Sequence, residues 1–350
     1  MIGTVALVAA LSGVASWLIA GRVRQDALHR SLLDVPNQRS SHSVPTPRGG
    51  GLGIAVVTLA GTALAAAGGL VPIRLAAAIV GGGALIAGVG FVDDRRGLPA
   101  STRALAHTLA ALWAVWWLGG LPDLDVGAGT VHLGRWGGAL AVAGIVWATN
   151  LYNFMDGIDG LAGGEATLVG SCAGVLLMAS GRADLALVAW LVSAASAGFL
   201  VWNWAPAKLF MGDVGSGLLG YLFATLAVAS ENAGALPLLA WVILTAVFVV
   251  DATITLVRRA LRGERWYAAH RSHAYQRAVQ LGRGHAWVTT SVLLLDLALC
   301  ALAAVAWRWH PLLLPALGAS IVLVGLVYVV VERQCPMYPL SQPHRAAPPR

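Results

Sequence analysis

Charged residues are scarce in this sequence. Only 11% of its 350 residues are Asp, Glu, Lys or Arg. A soluble domain carries about 25%. Because this leaves too little polar surface to cover a water-soluble globule, we expect the hydrophobic residues, 58% of the chain, to face lipid. At about 20 residues for each membrane span, the spans leave only short loops, so we expect no separate soluble domain.

Cysteine and lysine are rarer still. The chain has only Cys172, Cys300 and Cys335, an odd number without short spacing, which excludes a disulfide framework or a zinc site. Lys208 is the only lysine, so the formal charge of +7 comes almost entirely from arginine. The basic segments lack the interleaved aromatic residues of a recognisable nucleic-acid-binding module, and we therefore expect no nucleic-acid partner.

Long apolar runs make up most of the chain instead. About 20 apolar residues cross the hydrocarbon core of a bilayer, so each run predicts a transmembrane helix. The eleven runs cover about 2–20, 50–69, 74–91, 103–119, 136–152, 160–180, 184–204, 214–230, 236–257, 286–307 and 311–331. We expect an all-α polytopic membrane protein in which residues 1–335 form one transmembrane catalytic domain. The Pro-rich segment 336–350 is predicted to be a disordered cytoplasmic tail.

The basic residues predict the orientation of these spans, because Lys and Arg are enriched in cytoplasmic loops. With a periplasmic N-terminus and a cytoplasmic C-terminus, almost all of the 23 basic residues lie inside. The exceptions are Arg74, Arg135, Arg182 and Arg308. The first run precedes its basic residues, the opposite of the charge order in a secretory signal, and is therefore expected to be a retained span.

Carboxylates at span ends are candidates for function, since a carboxylate at the bilayer centre costs about 2.5–3.5 kcal/mol. They gather on the predicted inner side. The members are Asp93, Asp94, Asp156, Asp159, Asp213 and Asp251. Asp93 and Asp94 close the third run, where a carboxylate meets the negative end of the helix dipole. A bound cation would remove that conflict, so the pair favours metal or phosphate chemistry over simple capping.

Three further segments add polar groups on the same side. Segment 150–160 repeats a polar side chain every third residue, at Asn150, Asn153, Asp156 and Asp159, and its glycines would let the helix break so that these groups converge. Segment 202–217 offers glycines for close approach of a ligand and Lys208 as a point charge for a phosphate. The loop 270–277 contains donors suited to a pyrophosphate.

These groups together indicate phosphoryl transfer to a lipid-borne acceptor. Mg²⁺ is usually held by one or two protein carboxylates, with substrate oxygens completing the octahedron. Two other classes stay open: a secondary transporter with a carboxylate-lined ion site, and a lipid scaffold without activity. A transporter predicts carboxylates near the bilayer midplane and internal repeats, whereas the carboxylates here gather on one side and no repeat is found.

The motifs resemble those of the polyprenyl-phosphate N-acetylhexosamine-1-phosphate transferase family, which includes phospho-MurNAc-pentapeptide translocase. In order along the chain, they are segments 45–50, 93–94, 150–160, 210–213 and 270–275. The resemblance implies transfer of a sugar 1-phosphate from a UDP-amino sugar to undecaprenyl phosphate, with release of UMP. It further implies a multi-pass enzyme of the bacterial inner membrane with a cytoplasmic active site, using Mg²⁺, or Mn²⁺ in its place.

The resemblance also implies roles for single residues. Asp213 would be the principal metal ligand, Asp93 the base that deprotonates the lipid phosphate, and Phe210 the aromatic that stacks on uracil, with Asp159 on the uracil side. The implied metal ligands are Asp213, Asp94, Asn153 and Asp156. The catalytic candidates are Asp93, Asp94, Asp156, Asp213, His270 and His273. The substrate-binding candidates are Asn150, Asn153, Asp159, Asn203, Lys208, Phe210, Arg48 and Arg271.

Two departures from the family pattern bear on which subgroup of the family the sequence resembles. Segment 270–275 stands where the peptidoglycan branch has a triple-His loop, and it resembles the subgroup that initiates lipopolysaccharide O-chains. That subgroup often uses UDP-linked N-acetylfucosamine or N-acetylquinovosamine. The common lysine of the first inner loop is missing, with Arg48 nearby. We expect O-antigen-type initiation. The alternative is the same chemistry with UDP-GlcNAc for another wall polymer. The sequence is compatible with a homodimer.

Overall fold

A computed structural model describes residues 2–30, 33–34, 44–265 and 270–338. Within those ranges the chain is mostly helical, which confirms the expected all-α fold class. The helices are α1 (Ile2–His29), α2 (Gly51–Ala67), α3 (Ile73–Ala77), α4 (Gly83–Arg96), α5 (Ala100–Leu118), α6 (Arg135–Met155), α7 (Leu161–Ala179), α8 (Ala183–Asn203), α9 (Asp213–Asn232), α10 (Leu238–Leu244), α11 (Ala246–Leu261), α12 (Ala274–Gln280), α13 (His285–Arg308) and α14 (Leu313–Gln334). Most of the predicted tail, residues 339–350, lies outside the described ranges.

Every predicted apolar run coincides with a helix or a pair of helices. A π-helical turn, Ala78–Gly82, joins α3 and α4 into one long helix. By length and composition, eight helices among the described residues could cross a membrane, or nine if α10 and α11, bent by 82°, are one span. Two further predicted runs are not among these candidates: α2, which is shorter, and α5, which carries Arg103 and His107. The protein is thus a multi-pass membrane protein, while the number of eleven spans and their orientation stay predictions.

The two ends of the helix bundle differ. At one end, strands β3 (Asp123–Asp125) and β4 (Thr130–His132) form an antiparallel hairpin that packs near the end of α9. At the other end, strands β1 (Leu33–Asp34) and β2 (Thr46–Pro47) pair beside the start of α2. We call these the hairpin end and the motif end. Helices α1, α4, α6, α8 and α11 end at the motif end, and α2, α5, α7, α9 and α13 begin there.

Helix α9 is the most buried of the candidate spans, and small residues allow its close packing. A Cβ atom added to Gly220 of α9 would overlap the carbonyl oxygen of Ala148 on α6. The two helices therefore approach at a distance that only glycine permits at this position.

Replacing Gly220 by Ala should therefore destabilise the bundle. We expect the overlap with α6 to cost about 1–3 kcal/mol, seen as a lower thermal midpoint in detergent. Gly144 of α6 is the matched control, because an added Cβ there meets no heavy atom within 4 Å. Gly144→Ala should leave stability unchanged or raise it slightly through the better helix propensity of alanine. Equal destabilisation by both substitutions would contradict this packing.

Candidate active site

Two of the sequence motifs pair through their backbones at the motif end. The Phe210 N–H donates to the carbonyl oxygen of Pro47 at 2.8 Å, and the Phe210 carbonyl oxygen accepts the Gly50 N–H at 2.9 Å. The Gly51 N–H then donates to the Met211 carbonyl oxygen at 2.8 Å. This short ladder fixes segment 45–50 beside the start of α9, although the two motifs lie far apart in the sequence.

The ladder brings Arg48 to a group of carboxylates. Arg48 Nη2 lies 2.6 Å from Asp213 Oδ1, and its Nε lies 2.9 Å from Asp94 Oδ1. On the other side, Arg103 Nη1 lies 3.1 Å from Asp93 Oδ2 and 3.5 Å from Asp213 Oδ2. We call these five residues the carboxylate cluster. Its members come from the end of α4, the starts of α5 and α9, and the loop before α2.

Asp94 explains why carboxylates close α4. Its two side-chain oxygens accept the backbone N–H groups of Asp213 and Val214, at 2.9 and 3.2 Å, so it caps the N-terminus of α9. An anion at the positive end of a helix dipole is stabilised there. The sequence alone indicates an unfavourable position for these carboxylates, because it reveals only the dipole of α4. The structure compensates the two carboxylates through the N-terminus of α9 and through Arg48 and Arg103. Metal or phosphate chemistry at this pair stays a prediction.

Gly212 makes this cap possible. Its φ of 77° lies in the left-handed region, and an added Cβ would overlap the Asp94 carboxylate. Only glycine meets both requirements without strain.

Asn153 and Asp156 face the same region from the end of α6. The Ser216 hydroxyl of α9 donates to Asn153 Oδ1 at 3.0 Å. Asp156 interacts electrostatically with Arg48 and Asp213. Burial raises the pKa of Asp156 to about 7; nearby carboxylates act in the same direction and Arg48 opposes them.

The donor set fits a magnesium ion that is shared with a substrate. It consists of carboxylate and amide oxygens, which Mg²⁺ prefers, and one or two carboxylates suffice when phosphate oxygens complete the shell. Among the described residues, no group of three or more His, Cys, Asp or Glu side chains is arranged to hold a metal by itself. The ligand roles predicted for Asp213, Asp94, Asn153 and Asp156 stay predictions.

Asp159 lies beside the carboxylate cluster in a separate set of contacts. Its Oδ2 accepts the Ala207 N–H at 3.0 Å, and its Oδ1 lies 3.2 Å from His285 Nδ1. The Thr289 hydroxyl donates to the Asp159 carbonyl oxygen at 2.8 Å. Sequence reasoning missed His285, whose only signal was its position directly before an apolar run.

Three predicted substrate-binding residues form no hydrogen bond or ion pair with the carboxylate cluster among the described residues. Asn203 is buried; its Oδ1 accepts the Gly160 N–H at 2.9 Å and its Nδ2 donates to the Leu209 carbonyl oxygen at 3.0 Å. Its amide thus holds two motifs together, and its substrate-binding role stays a prediction. Asn150 donates to a carbonyl of its own helix. Lys208 is exposed and makes no ion pair with the carboxylate cluster within the described part of the chain.

The loop before α12 is built around His273. Its ring is buried, 3.4 Å from Asp251 Oδ1, and stacks between Phe154 and Tyr275. Asp251 also accepts the N–H groups of Ala274 and Tyr275, at 2.9 and 3.3 Å, and so holds the start of α12. The buried His273 ring therefore stabilises the loop from inside.

His270 lies next to this ring, 4.9 Å between centroids. Burial and then the neighbouring His273 lower the pKa of His270 to about 3. The side chain is therefore neutral at physiological pH, and the cationic pyrophosphate donors expected in this loop do not include it. Arg271, the next residue, accepts a hydrogen bond from Gln280 at its carbonyl oxygen, 2.9 Å.

Comparison with known proteins identifies the family. Residues 76–231 match the model of glycosyl transferase family 4. A Bacillus subtilis protein named "Probable undecaprenyl-phosphate N-acetylglucosaminyl 1-phosphate transferase" is 30% identical over 77% of this chain and 75% of its own length. The decaprenyl-phosphate N-acetylglucosaminephosphotransferase of Mycobacterium tuberculosis is 31% identical over 80% of this chain and 77% of its own. The chain belongs to glycosyl transferase family 4.

The peptidoglycan branch gives a shorter match. The phospho-N-acetylmuramoyl-pentapeptide-transferase of Moorella thermoacetica is 32% identical over 58% of this chain and 62% of its own length. The match to the glycosyl transferase family 4 model contains Asp93, Asp94 and Asp213, whereas Arg48 and the loop before α12 lie outside it.

In this glycosyl transferase family 4 protein, a buried arginine ties that loop to the end of α14. Arg277 Nη1 donates to Glu332 Oε2 at 2.5 Å and to the Cys335 carbonyl oxygen at 2.7 Å, and its Nε donates to the Ser272 carbonyl oxygen at 3.1 Å. Arg258 of α11 binds both oxygens of Glu332 at 2.8 Å. Glu332 thus binds Arg277 of the α12 region and Arg258 of α11 at the same time, and links the loop to α11 and α14.

Replacing Glu332 by Gln should loosen segment 270–280. The substitution removes the charge that both arginines share, and charge-assisted hydrogen bonds contribute about 1.5–3 kcal/mol. We expect amide hydrogen exchange in this segment to accelerate about tenfold or more.

Glu264→Gln is the matched control, because Glu264 pairs with Arg259 at 2.7 Å in a more exposed position. It should leave exchange in segment 270–280 unchanged. Unchanged exchange in the Glu332→Gln protein would rule out the anchoring role.

Proposed function

We propose that this protein transfers a sugar 1-phosphate of the N-acetylhexosamine type from a UDP-sugar to undecaprenyl phosphate, releasing UMP. The relatives' names support the reaction class. The observation that carries the proposal is the carboxylate cluster, in which groups from four separate segments converge beside a helix N-terminus. The arginine distribution supports a cytoplasmic active site in a bacterial inner membrane.

The reaction joins two phosphates. An oxygen of the lipid phosphate attacks the phosphorus that carries the sugar, and the bond to the UMP phosphate breaks. A pyrophosphate between lipid and sugar forms, and UMP leaves with the electron pair of the broken bond. If the lipid phosphate enters with a proton, that proton must be removed, which is the task proposed for Asp93.

The chain's own residues would bind and orient the phosphates. Arg48 and Arg103 present guanidinium groups that can bind phosphate oxygens as they now bind carboxylates. Magnesium, held by Asp213 and Asp156, would neutralise charge that develops on the phosphates. Positioning and charge compensation of this kind account for most catalysis of phosphoryl transfer.

The nucleotide would lie beside the cluster, along segment 202–211. Phe210 is fixed there by its backbone pairing with Pro47 and Gly50. Asp159 is fixed by Ala207, three residues before Phe210. Stacking of uracil on the Phe210 ring, with the Asp159 carboxylate accepting the imide N–H, would select the nucleotide.

The decisive experiment measures UMP release by purified protein with undecaprenyl phosphate, Mg²⁺ and a panel of UDP-sugars. The panel includes UDP-linked N-acetylfucosamine, N-acetylquinovosamine and N-acetylglucosamine, which separates O-antigen-type initiation from the GlcNAc alternative. Asp213→Asn should lower the rate about a thousandfold, whereas Asp123→Asn at the hairpin end should not change it. No release with any sugar, or full activity of Asp213→Asn, would disprove the proposal.

A second prediction concerns Phe210. Because an aromatic stack contributes about 0.5–1.5 kcal/mol, Phe210→Leu should raise the KM for the UDP-sugar about threefold to tenfold, with a smaller change in kcat. The control is Trp116→Leu, since Trp116 is 81% exposed at the other end of the bundle. An unchanged KM in the Phe210 variant would contradict the stacking role.

A further inference from the structure

Two acidic side chains are buried inside the bundle, away from the carboxylate cluster. Glu165 on α7 and Asp296 on α13 are both 0% exposed. Within the described residues none of their carboxyl oxygens has a hydrogen-bond partner. Uncompensated carboxylates of this kind are costly in lipid and mark functional sites. The proposed transfer reaction uses neither residue. We call them the acid pair.

The packing of α7 against α13 places the acid pair together. Near the start of the helices, Gly164 packs against Leu293, and farther along, Cys172 Sγ lies 3.9 Å from the Cys300 carbonyl oxygen. The helices therefore run parallel with an almost constant offset in sequence. That offset puts the two acidic residues about 3–4.5 Å apart along the helix axes, less than one turn.

A third polar group points to the same place from α6. The Tyr152 hydroxyl is buried, has no hydrogen-bond partner among the described residues, and interacts electrostatically with both acids. The Tyr152 ring is held by Phe223 and Phe248, at 5.7 and 5.0 Å between centroids. Three helices thus direct unpaired polar groups to one buried point.

No cationic side chain compensates this site. Across residues 2–30, 33–34, 44–265 and 270–338, no Arg, Lys or His forms an ion pair with either acid. Besides Tyr152, the titratable neighbours that interact with the acid pair are Cys300 and, through it, Cys172. The compensating charge must therefore come from a bound ion or from protons.

Protonation of the two carboxyl groups would supply the hydrogen-bond donors that this site lacks. Ionised carboxylates only accept hydrogen bonds, so the acid pair with Tyr152 has four carboxyl acceptors and a single donor, the phenol. Protonation adds two donors, which lets the three groups bond to one another, and it removes the repulsion between two like charges.

We propose that Glu165, Asp296 and Tyr152 form a proton-binding site in which both carboxyl groups are protonated at neutral pH. The site joins α7, which begins just after Asp159, to α13, which begins at His285, and so supports the contact between those two residues.

The proposal makes stability depend on pH in a defined direction. Unfolding exposes both carboxyls, which then lose their protons at any pH above about 4. Since the folded state binds more protons, its stability falls as the pH rises from about 5 to about 9.

The test uses full-length protein in lipid nanodiscs, with Glu165→Gln, Asp296→Asn, the double variant, and Asp123→Asn as a control for an exposed carboxyl. Infrared spectra should show the carbonyl band of protonated carboxylic acid at neutral pH, and each single variant should remove part of it. Between about pH 5 and pH 9 the thermal midpoint of the wild type should fall about 5 °C or more further than that of the double variant. The Asp123→Asn protein should behave as the wild type in both measurements.

Two results would overturn the proposal. One is an infrared band that neither variant changes, because the carboxyls would then be ionised. The other is stabilisation of the wild type, but not of the double variant, by NaCl compared with choline chloride, because a metal cation would then occupy the site. These measurements do not use the transfer reaction, so they stand whether or not the proposed function is correct.

Discussion

Mutual repulsion of carboxylates is the constraint on which the rest of this structure depends. Asp93, Asp94 and Asp213 approach one another at the motif end of a membrane protein in which only 11% of the residues are charged. Unpaired, they would repel each other in partly desolvated surroundings. Arg48 and Arg103 each bridge two of them and thereby set the relative positions of α4, α5 and α9.

Under the proposed function, the arginines of these bridges would also bind the substrate phosphates. Arg48 binds two different carboxylates through two of its nitrogens, and phosphate oxygens can take the place of carboxylate oxygens on a guanidinium. Asp94 caps the N-terminus of α9 by accepting two of its N–H groups. The positive end of the helix dipole therefore stabilises the carboxylates of the cluster. A substrate phosphate would therefore compete with the carboxylates that hold the arginines in place.

Much of the fold was predictable because it depends on local properties of the chain. Hydrophobic runs of sufficient length predict helices, and each run coincides with one. The grouping of Asp93, Asp94 and Asp213 followed from their positions at span ends on one predicted side. These inferences need only the periodicity and charge of neighbouring residues.

The remaining features depend on contacts between residues far apart in sequence. Asp94 caps a helix that begins more than a hundred residues later, and Asn203 holds the start of α7, so neither role is visible from neighbouring residues. Asp251, expected only as one more inner carboxylate, holds the start of α12. Glu165 and Asp296 do carry a local signal, since each is an acidic residue inside an apolar run, but that criterion was applied only at span ends. That the two residues lie together could not be seen from neighbouring residues, because they are far apart in the sequence.

The most direct test of the central claim is a double-mutant cycle between Arg48 and Asp94, read out as thermal stability in one lipid environment. Arg48→Met alone should destabilise strongly, since it leaves two carboxylates without their shared cation. Adding Asp94→Asn should restore part of the loss, with a coupling of about 1–3 kcal/mol. Losses that simply add would contradict the account, because the arginine would then not be what holds the carboxylates together.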